Sequence, residues 1–163
     1  MFYFVSKQIS YLKIDTYDKE YFEKEGFFLD VEYKWYLFAS DFNTNFEPFS
    51  QLKGKIGIAH SFFNKFTAQF ESEVGITLGN NENRVLDFNV GGYGEKFINT
   101  FIPMFGYDFA VLHSNSFLKS TVKLRYELFP KHYISMALNV ARVEKNLFNG
   151  GKIFENTKTG YLS

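Results

Sequence analysis

The stretch "FTAQFESEVGITLG", Phe66 to Gly79, alternates without a break. Phe66, Ala68, Phe70, Ser72, Val74, Ile76 and Leu78 fall on one face, and Thr67, Gln69, Glu71, Glu73, Gly75 and Thr77 on the other. A period of two over this length predicts a β-strand. Strands in globular proteins average about 5–6 residues. A strand of twice that length, with two glutamates opposite an aromatic and aliphatic row, restricts the chain to folds built from long two-faced strands.

The same pattern recurs. "FYFVSKQISYLKI" reads as a first strand whose alternation is blurred at Lys7. After the charged turn "TYDKEYFEKEG", Phe27, Leu29, Val31, Tyr33, Trp35 and Leu37 oppose Asp30, Glu32, Lys34 and Tyr36. Beyond the loop "NTNFEPFS", Leu52, Ile56, Ile58 and Phe62 oppose Lys53 and Lys55, and Asn64-Lys65 turns the chain into Phe66. "GNNENR" is a turn rich in residues that tolerate positive φ. "VLDFNVGG" is a shorter strand aligning Leu86, Phe88 and Val90, and Tyr93 to Ser116 has weak periodicity. Leu118, Val122, Leu124, Tyr126 and Leu128 then oppose Lys119, Thr121, Lys123, Arg125 and Glu127. After "PKH", Ile134, Met136, Leu138 and Val140 oppose Tyr133, Ser135, Ala137 and Asn139, and "GKIFENTKTGYLS" reads as an eighth strand cut short. Pro48, Pro103 and Pro130 all fall between strands. The fold expected is all-β, an antiparallel meander of about eight long strands.

Periodicity does not say which face is outside. A soluble ligand-binding barrel turns the apolar row inward, whereas a membrane barrel turns it to lipid and keeps charge in the lumen. Strand length favours the membrane, because a spanning strand needs about 9–11 tilted residues. So does aromatic content, with 22 Phe and 11 Tyr among 163 residues, since membrane barrels carry aromatic girdles. On this reading Lys53, Lys55, Glu71, Glu73, Lys119, Lys123, Arg125 and Glu127 face the lumen, where opposite charges pair across it. Eighteen basic and 18 acidic residues leave no net field for nucleic acid. The absence of Cys removes disulfides and thiolate metal sites.

From Val90 onward, "VGGYGEKFINTFIPMFGYDF" resembles the outer-membrane barrel that follows the catalytic domain of bacterial patatin-like phospholipases, especially those of Bacteroidetes type. That barrel is similar to the surface-antigen barrels of outer-membrane assembly and two-partner secretion proteins. "EYFEKEGFFLDVEYKW", "LDFNVGGYG", "FIPMFGYDF" and "VKLRYELFPKHYISMALNVARVEKNLF" carry the likeness over roughly residues 15 to 163. Gly91 and Gly92 with the downstream Phe105, Gly106 and Tyr107 form its loop motif. The resemblance implies a bacterial outer-membrane location, membrane lipid as the surrounding partner, and an upstream patatin-like hydrolase that the barrel anchors and helps to export. It also implies that residues 1–163 are part of a barrel domain, without the catalytic domain or closing strands. Surface-antigen barrels carry an Arg before the Gly-aromatic pair of a loop that folds back into the lumen. Here that place reads Met104-Phe105-Gly106-Tyr107, which argues against an assembly or transport role.

No catalytic, cofactor or metal residue is expected in this chain. Patatin-like catalysis needs a G-x-S-x-G elbow and an Asp before Gly-Gly or Gly-Ala, and neither motif occurs. His60, His113 and His132 share no metal-ligand spacing. Glu71 and Glu73 have the look of an acid–base pair but face lysines, so a salt-bridged ladder is the expected reading. Gly91, Gly92 and Gly94 have no Lys-Ser/Thr after them and so do not make a phosphate loop.

Overall fold

The structure, a computed structural model, describes residues 4–18, 23–40, 47–63, 65–79, 87–93, 100–144 and 157–162. Asn64, Leu86, Gly94, the first half of "NTNFEPFS" and all of "GNNENR" after Gly79 lie outside the described residues. Ten strands run in chain order: β1 (Phe4–Asp15), β2 (Gly26–Ser40), β3 (Phe49–Phe62), β4 (Phe66–Leu78), β5 (Phe88–Val90), β6 (Phe101–Ile102), β7 (Leu112–Ser114), β8 (Ser116–Phe129), β9 (His132–Glu144) and β10 (Thr157–Leu162). Seven form one sheet in the order β1-β2-β3-β4-β8-β9-β10, with every pairing antiparallel. Among the described residues the sheet is not closed, and β1 and β10 are its edges. Among the described residues no helix is long and apolar enough to cross a membrane.

Two local features follow from the sequence. The β1–β2 ladder shifts register between Ser6, opposite Phe38, and Lys7, opposite Tyr36, with Leu37 of β2 as the extra residue. An extra residue in one strand moves everything after it to the opposite face. The β8–β9 hairpin closes on Pro130 and Lys131, with Lys131 at φ 68°.

The expected eight-strand meander needs one correction. "VLDFNVGG" does not enter the main sheet. Its Phe88–Val90 segment is the centre of a separate three-stranded sheet, β6-β5-β7, within the connection from β4 to β8. There β5 pairs parallel with β6 and antiparallel with β7. Two of these strands come from the stretch whose weak periodicity hid them, because strands of two and three residues are too short to show a period.

The connections sort to the two ends of the sheet. The 16–25 connection and the tight β3–β4 and β8–β9 turns lie at one end, since Gly26 sits opposite Ala59 and Phe66 opposite Tyr126. The ends of β2, β4 and β9 and the starts of β3, β8 and β10 lie at the other.

The distribution of burial is inverted relative to a soluble protein. Ile56, Ile58, Phe70, Val122, Leu138 and Val140, all from the apolar rows, are exposed. Lys53, Gln69, Glu73, Lys119, Thr121 and Asn139, from the opposite rows, are buried. The apolar rows therefore form an exposed outer face of the sheet, and large exposed apolar patches mark interaction or membrane surfaces. The reading of a soluble barrel with its apolar row inside is overturned on this observation.

Candidate functional site: a charged face under a folded-back insert

The polar face is organised by β4. Glu73 receives Lys53 from β3 at 3.1 Å and Lys119 from β8 at 3.2 Å. Two residues along, Glu71 receives Lys55 at 3.0 Å and Lys123 at 2.6 Å. The register produces this directly. Lys53 lies opposite Gly75 and Lys55 opposite Glu73, so each lysine reaches one diagonal step to its glutamate. The two Lys-Glu-Lys groups join neighbouring strands. The expected pairing of opposite charges across a lumen is thus replaced by pairing along the wall.

Arg125 and Glu127 behave differently from the other predicted residues. Neither belongs to the two groups on β4. Glu127 takes Lys24 at 3.2 Å, and Arg125 reaches Glu23 at 4.0 Å. Both partners, Glu23 and Lys24, precede β2 and meet the polar face at the tight-turn end. Lys24 also accepts, through its backbone carbonyl, a hydrogen bond from the Ser61 hydroxyl at 2.9 Å. Within the 16–25 connection Asp18 turns the chain by accepting from the Lys24 and Glu25 amides. Tyr17 lies edge-on to Phe28 at 5.3 Å, and burial raises its phenol above its ordinary pKa.

At the opposite end the β4–β8 insert folds back over the same face. Phe88, Val90, Ile102 and Met104 from the insert pack with Phe117 of β8 and Ala141 of β9 into one buried apolar cluster. The loop motif holds the insert's own shape. Gly91 and Gly92 have φ of 136° and 81°, and Gly106 has φ 79°, values that L side chains rarely adopt. The Gly92 amide donates to the Tyr107 carbonyl at 2.9 Å, and the Met104 amide donates to the Gly92 carbonyl at 2.9 Å. The double glycine is therefore hydrogen-bonded to the segment around Phe105, Gly106 and Tyr107. Phe105 approaches Tyr93 with ring centroids 5.8 Å apart. Met104, standing where the resembled loops carry Arg, is fully buried in the insert's apolar core. A cation does hold the insert, but it comes from the wall. The Lys119 ammonium donates to the Pro103 carbonyl at 2.9 Å while bound to Glu73.

Two glycines on the polar rows make room for aromatic rings. Gly57 lies opposite Phe28, and a Cβ there would stand 2.2 Å from the Phe28 ring. Gly75 lies opposite Phe117, and a Cβ there would stand 2.2 Å from that ring and 2.9 Å from Phe88. Neither pair was singled out from sequence. The available signal was a glycine in the middle of a long strand, which marks close approach.

Between the two coverings remains an open cavity of ≈ 590 Å³, bounded by the charged wall, Tyr93 and Phe105. Its lining includes Thr121 and Asn139, which sequence reasoning placed on the polar face without a role. The histidines stand apart from it. His60 is exposed on the apolar row beside Phe62, His113 bonds Asn89 on the insert, and His132 contacts the Pro130 carbonyl in its turn.

The model of the OMP85 superfamily matches residues 3–162 of the chain. No curated protein matches it.

Proposed function

The chain belongs to the OMP85 superfamily of outer-membrane proteins, and from that premise we propose that it forms part of the barrel of a patatin-like phospholipase, anchoring an attached lipid acyl hydrolase at the bacterial outer membrane and serving its export. The observation that carries the membrane role is the inverted burial, with Ile58, Val122 and Leu138 exposed while Lys53, Glu73 and Lys119 are buried. Lipid solvates the outer rows, and hydrogen bonding within the sheet lets the backbone cross it. The polar face is then the lumen side. The hydrolase attachment rests on the resemblance spread over the charged turn, the double glycine and the late hairpin. The chain supplies neither serine elbow nor catalytic Asp motif of its own, so hydrolysis is assigned to the attached domain.

Two experiments test this reading. The coding sequence upstream of Met1 should encode a domain with G-x-S-x-G. A run of small periplasmic modules there would instead make the protein an assembly or translocation barrel. Labelling tests the membrane face. Leu124 and Lys123 are neighbours on opposite faces of β8, and the chain has no thiol. In the folded intact protein a Leu124→Cys thiol should react with a lipid-phase reagent and resist a water-soluble one. A Lys123→Cys thiol should do the reverse. Protection of the Leu124→Cys thiol from both phases would put Leu124 in a dry core and refute the membrane assignment.

A further inference from the structure

We propose that the cavity between the charged wall and the insert binds a phosphate-type oxyanion, held by Lys55 and Lys123 and closed over by Tyr93 and Phe105.

The first ground is charge. Each glutamate on β4 serves two lysines, Lys53 and Lys119 on Glu73 and Lys55 and Lys123 on Glu71. Asp30 and Glu32 of β2 stand opposite Lys55 and Lys53, and Arg125 and Glu23 pair with each other. The Lys55–Glu71–Lys123 group itself carries one more positive than negative charge and lines a recess whose low-dielectric walls concentrate the field.

The second ground is access. Lys53 and Lys119 have side chains only 10% and 8% exposed, and Lys119 is already shared between Glu73 and Pro103. Lys55 and Lys123 are 26% and 36% exposed and line the cavity. Each has three donors and commits to Glu71. Lys55 is further positioned by the Phe28 ring, with its ammonium 4.7 Å from the centroid. These two open ammonium groups, one on either side of Glu71, suit an anion with several acceptor oxygens better than one with a single charge centre.

The third ground is an orphaned group. Asn139 is 2% exposed and lines the same cavity, and its Oδ1 has no hydrogen-bond partner among the described residues. A buried amide oxygen without a partner costs about 1–3 kcal/mol. Either end of the amide can meet a ligand, since oxygen and nitrogen are interchangeable by a flip. A protonated phosphate, or a phosphate ester bearing a hydroxyl, offers both an acceptor and a donor. Tyr93 and Phe105 cover the other side of the cavity and suit the carbon skeleton of such an ester.

The chemistry is shared by free phosphate and by a phospholipid headgroup. The test is calorimetric titration of the intact protein in a zwitterionic detergent with inorganic phosphate, glycerol 3-phosphate and a short-chain phosphatidate. It does not depend on what domain is attached, because it reads binding rather than hydrolysis. Lys123→Gln should weaken binding at least tenfold, while Glu71→Gln should tighten it by a similar factor by freeing both lysines. The opposite directions separate a real site from misfolding, which would weaken binding in both variants. Lys13→Gln, on β1 far from the cavity wall, should leave the affinity unchanged. Phosphatidate binding tenfold or more tighter than phosphate identifies the headgroup as the occupant, and equal affinities identify the free anion. Absence of binding for all three ligands, or weaker or unchanged binding in Glu71→Gln, overturns the proposal.

Discussion

Replacing Glu73 by Gln removes one charge and leaves two. Its carboxylate is 2% exposed and lies 3.1 Å from the Lys53 ammonium and 3.2 Å from that of Lys119. At an effective dielectric of about 20, attraction at such distances is worth roughly 5 kcal/mol per contact. The amide oxygen keeps a hydrogen bond to one lysine while its NH2 cannot accept from the other, and the variant no longer has to desolvate a carboxylate, so part of that is returned. What remains is the penalty of two nearly buried ammonium groups facing each other without a counter-ion, about 3–5 kcal/mol. The assay is urea unfolding of the intact protein in lipid vesicles, followed by heat-modifiable migration on cold gels. Lys13→Gln is the control, because its pair with Asp15 is 3.6 Å long and exposed, a type worth under about 1 kcal/mol. A second readout is chymotrypsin cleavage at Phe109, which is 56% exposed on the insert. Repelled by Lys53, Lys119 loses its hold on Pro103, and cleavage should accelerate. The combined variant Lys53→Met, Glu73→Leu, Lys119→Met should recover most of the stability, as apolar replacements of buried ion groups do, yet remain protease-sensitive because nothing then donates to Pro103. Stability of Glu73→Gln within about 1 kcal/mol of wild type would refute the buried-charge reasoning.

Three further outcomes are expected. Gly75→Val should destabilise by about 1–3 kcal/mol through overpacking against Phe117 and Phe88, and a double-mutant cycle with Phe117→Leu should return part of the loss. Leu138→Arg, in mid-strand on the exposed row, should cost about 2–4 kcal/mol near the bilayer midplane, measured by unfolding in vesicles, while Leu138→Phe should cost little. Tyr17 has a pKa raised chiefly by burial, so the folded state holds the phenolic proton where the unfolded chain has lost it. Its stabilising effect is complete below the ordinary value near 10 and disappears as pH rises through the raised value; Tyr17→Phe should flatten that alkaline loss in a pH series of unfolding midpoints.

Five of the six long strands were legible in the sequence because each repeats a period of two over most of its length, while β1 was read as a strand despite the blur at Lys7. The wall residues were legible for the same reason, since parity alone puts Lys53, Lys55, Glu71, Glu73, Lys119 and Lys123 on one side. Their partners were only half legible. Parity says that Glu71 and Glu73 face lysines, but the sharing of each glutamate by two strands depends on register, which alternation leaves undetermined by steps of two. The insert was least legible. Its core is made from pieces far apart in sequence, Phe88 with Met104 with Phe117, and its strands are too short for a period. The contacts of Lys24 with Glu127 and of Arg125 with Glu23 span about a hundred residues and have no local signature.

Register is where the unusual polarity of this fold has its largest consequence. In a soluble sheet, jigsaw packing of the apolar core selects among slips of two residues. Here the apolar rows meet a fluid solvent of lipid chains, which takes Leu, Ile or Phe with little preference for order. A slip of one is still forbidden, because it would turn lysines into lipid. A slip of two preserves every face and must be excluded by the polar side. The two glycines do this. Gly57 stands opposite Phe28 and Gly75 opposite Phe117, one near each end of the sheet. Shifting β4 by two against β8 places Glu73 or Thr77 where the Phe117 ring now lies, in a space that does not admit even a methyl carbon. The same shift exchanges the Glu73–Lys119 contact for other glutamate–lysine contacts, because Glu71 lies one strand repeat away. Volume at the two glycines therefore fixes the register, on the face that the insert must find already aligned before it can close.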